Sequence, residues 1–168
     1  MVDQRHPVGG VGGQMAELDE TDRRIVDELR GNSRMSMRAL AAALHISRAN
    51  VYTRVARLER EGVITGYTAI IDPQRYGHAL SAYVFLKVQQ QSWKRLQERV
   101  LDIPEVDHAA LVSGEHDIIL LVRTRDAAAL RDLVLTRLQD MPEVVSTQTV
   151  LIFDETTPAS RAGRTPPE

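Results

Sequence analysis

An eight-residue pattern occurs twice in this chain. "RVLDIPEV" (99–106) and "RLQDMPEV" (137–144) share the pattern Arg-x-x-Asp-apolar-Pro-Glu-Val at an offset of 38 residues. Each copy stands where a segment of helical period ends: Trp93, Leu96 and Val100 in the first case, Leu130, Leu133, Val134 and Leu138 in the second. Proline has no N–H to continue a helix, so Pro104 and Pro142 end those segments. The runs 80–89, 106–113, 117–124 and 144–153 have strand length and β-branched content. The duplication therefore dictates the order β-α-β-β-α-β, two βαβ halves with both helices on one face of a sheet. Strand 80–89 is apolar in both parities, with Ala82, Val84, Leu86 and Val88 on one and Tyr83 and Phe85 on the other. The face without helices needs a cover, and a second copy of the same sheet, in a symmetric dimer, is the economical one.

The residues before this unit have a different period. Asp19 is placed to cap a helix, with Asp22 three residues on, and Ile25, Val26 and Leu29 face inward until Gly31-Asn32 supplies a stop of the kind that tolerates positive φ. Ser36 caps "MRALAAAL", and Ser47 caps a third helix in which Val51, Val55 and Leu58 form one stripe. Opposite that stripe lie Ala49, Asn50, Thr53, Ala56, Arg57 and Arg60, bordered by Arg48, Tyr52 and Arg54. Three short helices, the last with a polar and basic outer face, make a helix-turn-helix. "VITGYTAIID" after it alternates like a strand, as a wing or a linker ribbon.

Charge separates the two parts. The formal sum is −2, yet Arg30, Arg34, Arg38, Arg48, Arg54, Arg57 and Arg60 stand against Glu59 alone, so that segment carries +6. An anionic partner for one module is the functional reading, and a solvated arginine face the bland one. The small Ala49 and Ala56 allow the close approach that entry into a major groove demands. Asn50 can pair with adenine and arginines with guanine, while Arg34, Ser36 and Arg38 are placed as phosphate anchors and Ser47 acts as a cap before it acts as a phosphate contact. Arg54 borders the buried stripe, where pairing with an acid to hold the bundle is the alternative to DNA contact.

Other chemistries find little support. The chain has no cysteine, which excludes disulfides and thiolate ligands, and it has no signal-peptide core or long apolar run, so a cytoplasmic, non-membrane protein is expected. Histidines 6, 45, 78 and 108 have no metal-site spacing, no serine or threonine sits in a nucleophile elbow, and no metal, cofactor or catalytic residue is expected. Residues 1–16, Gly-rich, are expected to be a flexible leader, with Met15 an alternative start, and 156–168, rich in Pro, Ser and Thr, a disordered tail.

The segment 18–77 closely resembles the amino-terminal signature of the Lrp/AsnC (feast/famine) transcription regulators, including Asn-Ser-Arg after the first helix and "RVARLEREGVI" (54–64). "SGEHDIILLV" (113–122) is similar to the Gly-x-x-Asp turn of that family's effector domain. The resemblance spans 18–155 and implies an α+β protein: a winged helix-turn-helix (17–65), a linker strand or hinge (66–78) and a ferredoxin-like effector and dimerisation domain (79–155). It implies double-stranded DNA as partner, read by Ser47, Arg48, Asn50, Thr53, Arg54 and Arg57 with Arg34, Ser36 and Arg38. It further implies an amino acid or related metabolite held between dimers at Ser113, Gly114, His116 and Asp117, and homodimers assembling to higher oligomers such as octamers. Gly-x-x-Asp is also simply a turn, with glycine for its dihedral and aspartate for local hydrogen bonds. Two departures stand out: His45 replaces the family's usual glycine before the recognition helix, and His116 replaces a frequent aromatic residue. Histidine reaches positive φ more readily than branched residues, so the turn is expected to survive. The alternatives are an enzyme similar to siroheme decarboxylases, of related fold, and an architectural DNA-binding protein without ligand.

Overall fold

The computed structural model describes residues 17–89 and 93–155. The expected leader, the Met15 start and the expected tail lie outside these residues, as does the side chain of Trp93. The chain divides into two compact units at Ala69/Ile70.

The first unit holds three helices, α1 (Glu20–Gly31), α2 (Met37–Leu44) and α3 (Arg48–Arg60). Each starts where a side chain accepts an otherwise unpaired N–H. Asp19 accepts from Asp22 in a reciprocal capping box, Ser36 from Ala39 and Ser47 from Asn50. Ile25, Leu29, Leu40, Ala41, Leu44, Val51, Val55 and Leu58 form the core, so one stripe of each helix is buried against the other two. Between α2 and α3, His45 adopts φ 55, ψ 40, the left-handed conformation the turn requires.

One local expectation holds and one fails. α1 stops at Asn32, with φ −150, where the Asn32 carboxamide accepts the Arg34 N–H at 3.1 Å. Residues 63–72 form no strand. Val63 and Ile64 turn back, donating their N–H groups to the Leu58 carbonyl at 2.9 and 3.0 Å, and pack on the helical core. A ribbon needs a ladder partner, and among the described residues the chain offers none to 65–72.

The second unit begins with a short helix, α4 (Pro73–Tyr76), inside the segment expected as linker, with Asp72 as its cap. Then follow β1 (Leu80–Val88), α5 (Trp93–Leu101), β2 (Val106–Leu111), β3 (Ile118–Thr124), α6 (Ala127–Asp132), a π-helical stretch (Leu133–Leu138) and β4 (Val144–Ile152). The sheet order is β2-β3-β1-β4 and all three pairings are antiparallel. This is the ferredoxin-like arrangement read from the repeat. Ala82, Val84 and Leu86 of β1 lie beside Ile118, Leu120 and Val122 of β3, and all are fully buried with Leu96, Val100, Leu133 and Leu138. The other parity, Tyr83, Phe85, Ile119, Leu121 and Val150, forms a face without helices.

The second helix was expected to keep the α period to Leu138. It widens instead, with the Gln139 N–H reaching the Val134 carbonyl at 3.1 Å, and the wider turn keeps Leu133, Val134 and Leu138 buried together.

The two copies of the repeat close each other. Arg99 donates to Glu143 and Arg137 to Glu105, each at 2.8 Å, so each copy's arginine grips the other copy's glutamate. Inside each copy the valine N–H bonds the carbonyl three residues back, Val106 to Ile103 at 3.0 Å and Val144 to Met141 at 2.9 Å.

Candidate nucleic-acid interface and effector turn

The outward side of α3 is built as its sequence demanded. With Val51, Val55 and Leu58 buried, Arg48, Ala49, Asn50, Thr53 and Ala56 stand exposed, as do Ser36, Arg34 and Arg38 on and before α2. Arg34, Arg38 and Arg48 pair with no carboxylate among the described residues. The hydroxyls of Ser36 and Ser47 are occupied as caps, and Thr53 donates its hydroxyl to the Ala49 carbonyl at 3.0 Å.

Arg54 and Arg57 are placed otherwise. Arg54 Nη1 donates to Asp19 Oδ2 at 2.6 Å and to Asp22 Oδ1 at 2.8 Å, its Nε donates to Asn50 Oδ1 at 2.9 Å, and Arg57 Nη2 donates to Asp22 Oδ2. The Asp22 side chain is only 1% exposed, against 24% for Arg54 and 33% for Arg57. Burial by itself would raise the Asp22 carboxyl. The hydrogen bonds from Arg57, Arg54 and the Asp19 amide outweigh it and hold the group down at about 2. The cluster of two acids and two arginines is formally neutral. Much of the charge concentrated on α3 is therefore spent inside the protein, and Arg34, Arg38, Arg48 and Arg60 are the arginines of that segment that pair with no carboxylate among the described residues.

On sequence alone Asp22 is a helix-start acid. The signal for its second role was present: Asp22, Ile25 and Leu29 share the buried stripe of α1, and a carboxylate on such a stripe must find a cation.

In the second unit, Ser113 and Gly114 are exposed, and Gly114 has φ 138, open to glycine alone. His116 packs its ring on Phe85, centroids 5.3 Å apart. Asp117 Oδ2 accepts the Val88 N–H at 2.9 Å and Oδ1 accepts Lys87 Nζ at 3.2 Å. The backbone N–H of Val88, opposed by partial burial and aided by Lys87, holds the Asp117 carboxyl below the usual range. The four predicted residues do share one loop, but the aspartate clasps β1, and Lys87, absent from the sequence reading, completes the group. Two grooves of about 380 and 320 Å³ lie along β4 rather than at this turn. Among the described residues no cluster of acids and histidines suits a metal, and no helix is long and apolar enough to cross a membrane.

Comparison with known proteins accounts for both units. A family model for a winged helix-turn-helix DNA-binding domain matches residues 18–65, and one for the Lrp/AsnC ligand binding domain matches 81–161. The HTH-type transcriptional regulator LrpA of Mycobacterium tuberculosis is 38% identical, over 80% of this chain and 90% of its own length. The leucine-responsive regulatory protein of Klebsiella pneumoniae is 31% identical, over 86% and 90%. A transcriptional regulator of Neisseria meningitidis solved as its L-Met complex superimposes with a TM-score of 0.77 at 25% identity, over 83% of this chain and 92% of that one.

Proposed function

The chain belongs to the Lrp/AsnC family of helix-turn-helix transcriptional regulators, and from that premise we propose how its residues divide the work. α3 enters the major groove of double-stranded DNA through Arg48, Asn50 and Thr53. Arg34, Ser36 and Arg38 hold phosphates, Ser47 presents the helix amino terminus to one, and Arg54 and Arg57 support the reading face from behind. The observation that carries this reading is the exposed Arg48-Ala49-Asn50-Thr53-Ala56 surface, with free arginines at its edge and small residues at its centre. The regulator works in the cytoplasm.

The effector is an amino acid or a related metabolite. The Neisseria protein's L-Met complex supports that class. At the turn, Gly114 and Ser113 would offer polar backbone to a carboxylate beside Lys87, and Asp117 has lone pairs left for an ammonium group. The turn is open within one chain, so walls from another dimer would complete the site. The helix-free apolar face of Tyr83, Phe85, Ile119, Leu121 and Val150 supports dimerisation through the sheets, and dimers assembling to octamers complete the scheme. Regulation then requires the effector to bind two assembly states with different affinity.

The test is a gel shift of the purified protein with its own upstream DNA at two salt concentrations, with and without common amino acids. Binding that weakens with salt, by about 0.9 in log–log slope per phosphate contact, and changes with one amino acid is the expected result. Specific binding that no amino acid alters leaves the architectural reading. Absence of specific binding at low salt, with a tetrapyrrole Soret band in the purified protein, favours the decarboxylase-like enzyme.

A further inference from the structure

Arg54 joins two buried or half-buried acids to one exposed amide, and the chemistry of that join is one-directional. A guanidinium has donors only. The Asn50 atom 2.9 Å from Arg54 Nε is therefore its carbonyl oxygen, and the NH₂ group takes the other side of the planar amide, on the exposed surface of α3. Arg54 itself cannot turn away without leaving Asp19 and the buried Asp22, to which Nη1 donates at 2.6 and 2.8 Å. Arg57 and the Asp19 N–H fix Asp22 in turn. An unrestrained asparagine can present donor and acceptor together and pair bidentately with adenine. Here one lone pair of the acceptor is already engaged from behind, whereas both amide hydrogens are left to the exposed side.

We propose that Arg54 is a positioning residue that sets the base preference of Asn50: anchored by Asp22 and Asp19, it holds the amide so that α3 offers donors and reads an acceptor-bearing base edge, purine N7, guanine O6 or thymine O4. This rests on α3 reading DNA, as proposed above. Arg54 contributes discrimination at one position without touching the base.

The experiment selects duplexes from a randomised library with the full-length protein, then measures affinities for single-base changes in the winning duplex. Each variant is referenced to its own affinity for unrelated DNA. Wild type is expected to prefer an acceptor-bearing base at one position. R54K retains a cation for the acids but cannot reach both acids and Asn50 with one fork, so discrimination at that position falls on the order of tenfold. N50A loses the same discrimination, and R54K added to N50A costs nothing more there. N50D keeps the Arg54 contact but turns the outward group into an acceptor, which moves the preference to cytosine N4 or adenine N6. It decides the matter even where thermal melts show that R54K has not folded. Unchanged discrimination in a folded R54K, losses that add in the double variant, or an N50D preference identical to wild type overturns the proposal. A wild-type protein that prefers no duplex at low salt instead overturns the DNA reading beneath it, and the two failures are told apart at that first step.

Discussion

Asp22 and Asp117 each stand beside a candidate binding surface and each accepts from a cation and a backbone N–H, yet the two sites differ in what water can do. The Asp22 side chain is 1% exposed and meets two arginines, whereas Asp117 is 31% exposed and meets one lysine that is itself 42% exposed. Buried, a carboxylate depends wholly on its partners, and they become part of the fold. Half-exposed, it keeps water as a substitute and remains available to a ligand. The DNA-reading surface is thus set on a rigid support, while the turn proposed for the effector stays open to exchange.

Measurements can break or sharpen this contrast. The largest effect is expected from Asp22→Ala, which leaves two arginines with a quarter to a third of their surface in water and lowers the stability of the helical unit by about 2–3 kcal/mol in denaturant unfolding. A loss near zero would abolish the distinction. Acid titration comes next. The Asp22 carboxyl sits at about 2 against an ordinary 3.8, so its contribution is complete above pH 3.8 and disappears as pH falls toward 2. That window is worth about 2 kcal/mol, and melts of wild type and Asp22→Ala should converge across it. Asp117→Asn is expected to lower the melting temperature by only a few degrees, because the Val88 N–H keeps an acceptor and Lys87 returns to solvent. A larger fall than that of Asp22→Ala would reverse the ranking. Smallest is Lys87→Ala, below about 1 kcal/mol in stability. The same variant should weaken the response of DNA binding to an effective amino acid, measured in the gel shift, and an undiminished response removes Lys87 from the effector site.

What the sequence made legible was what neighbouring residues decide. Asp19, Ser36 and Ser47 cap helices through N–H groups three residues away, and the parity of 80–88 assigns each side chain to a face. The repeat made the sheet legible because proline stops and strand starts are local too. The partners of Arg54 and Arg57 were not legible: Asp22 is 32 and 35 residues from them, and an arginine on a helix border looks the same whether it faces phosphate or aspartate. Alternation in 63–72 suggested a ribbon, but pattern alone supplies no ladder partner. The widened turn at Leu133–Leu138 answers to the packing of three buried side chains, which no single period expresses.

The crossed pairs Arg99–Glu143 and Arg137–Glu105 carry a consequence for how the chain is made. When the ribosome has delivered the first half of the sheet unit, both Arg99 and Glu105 are present, and neither has its counterpart. Only once residues 137–143 have followed can either clasp form. The half that emerges first has no partner for either clasp until its twin follows, and the duplicated motif that announces the fold also ties its two halves together.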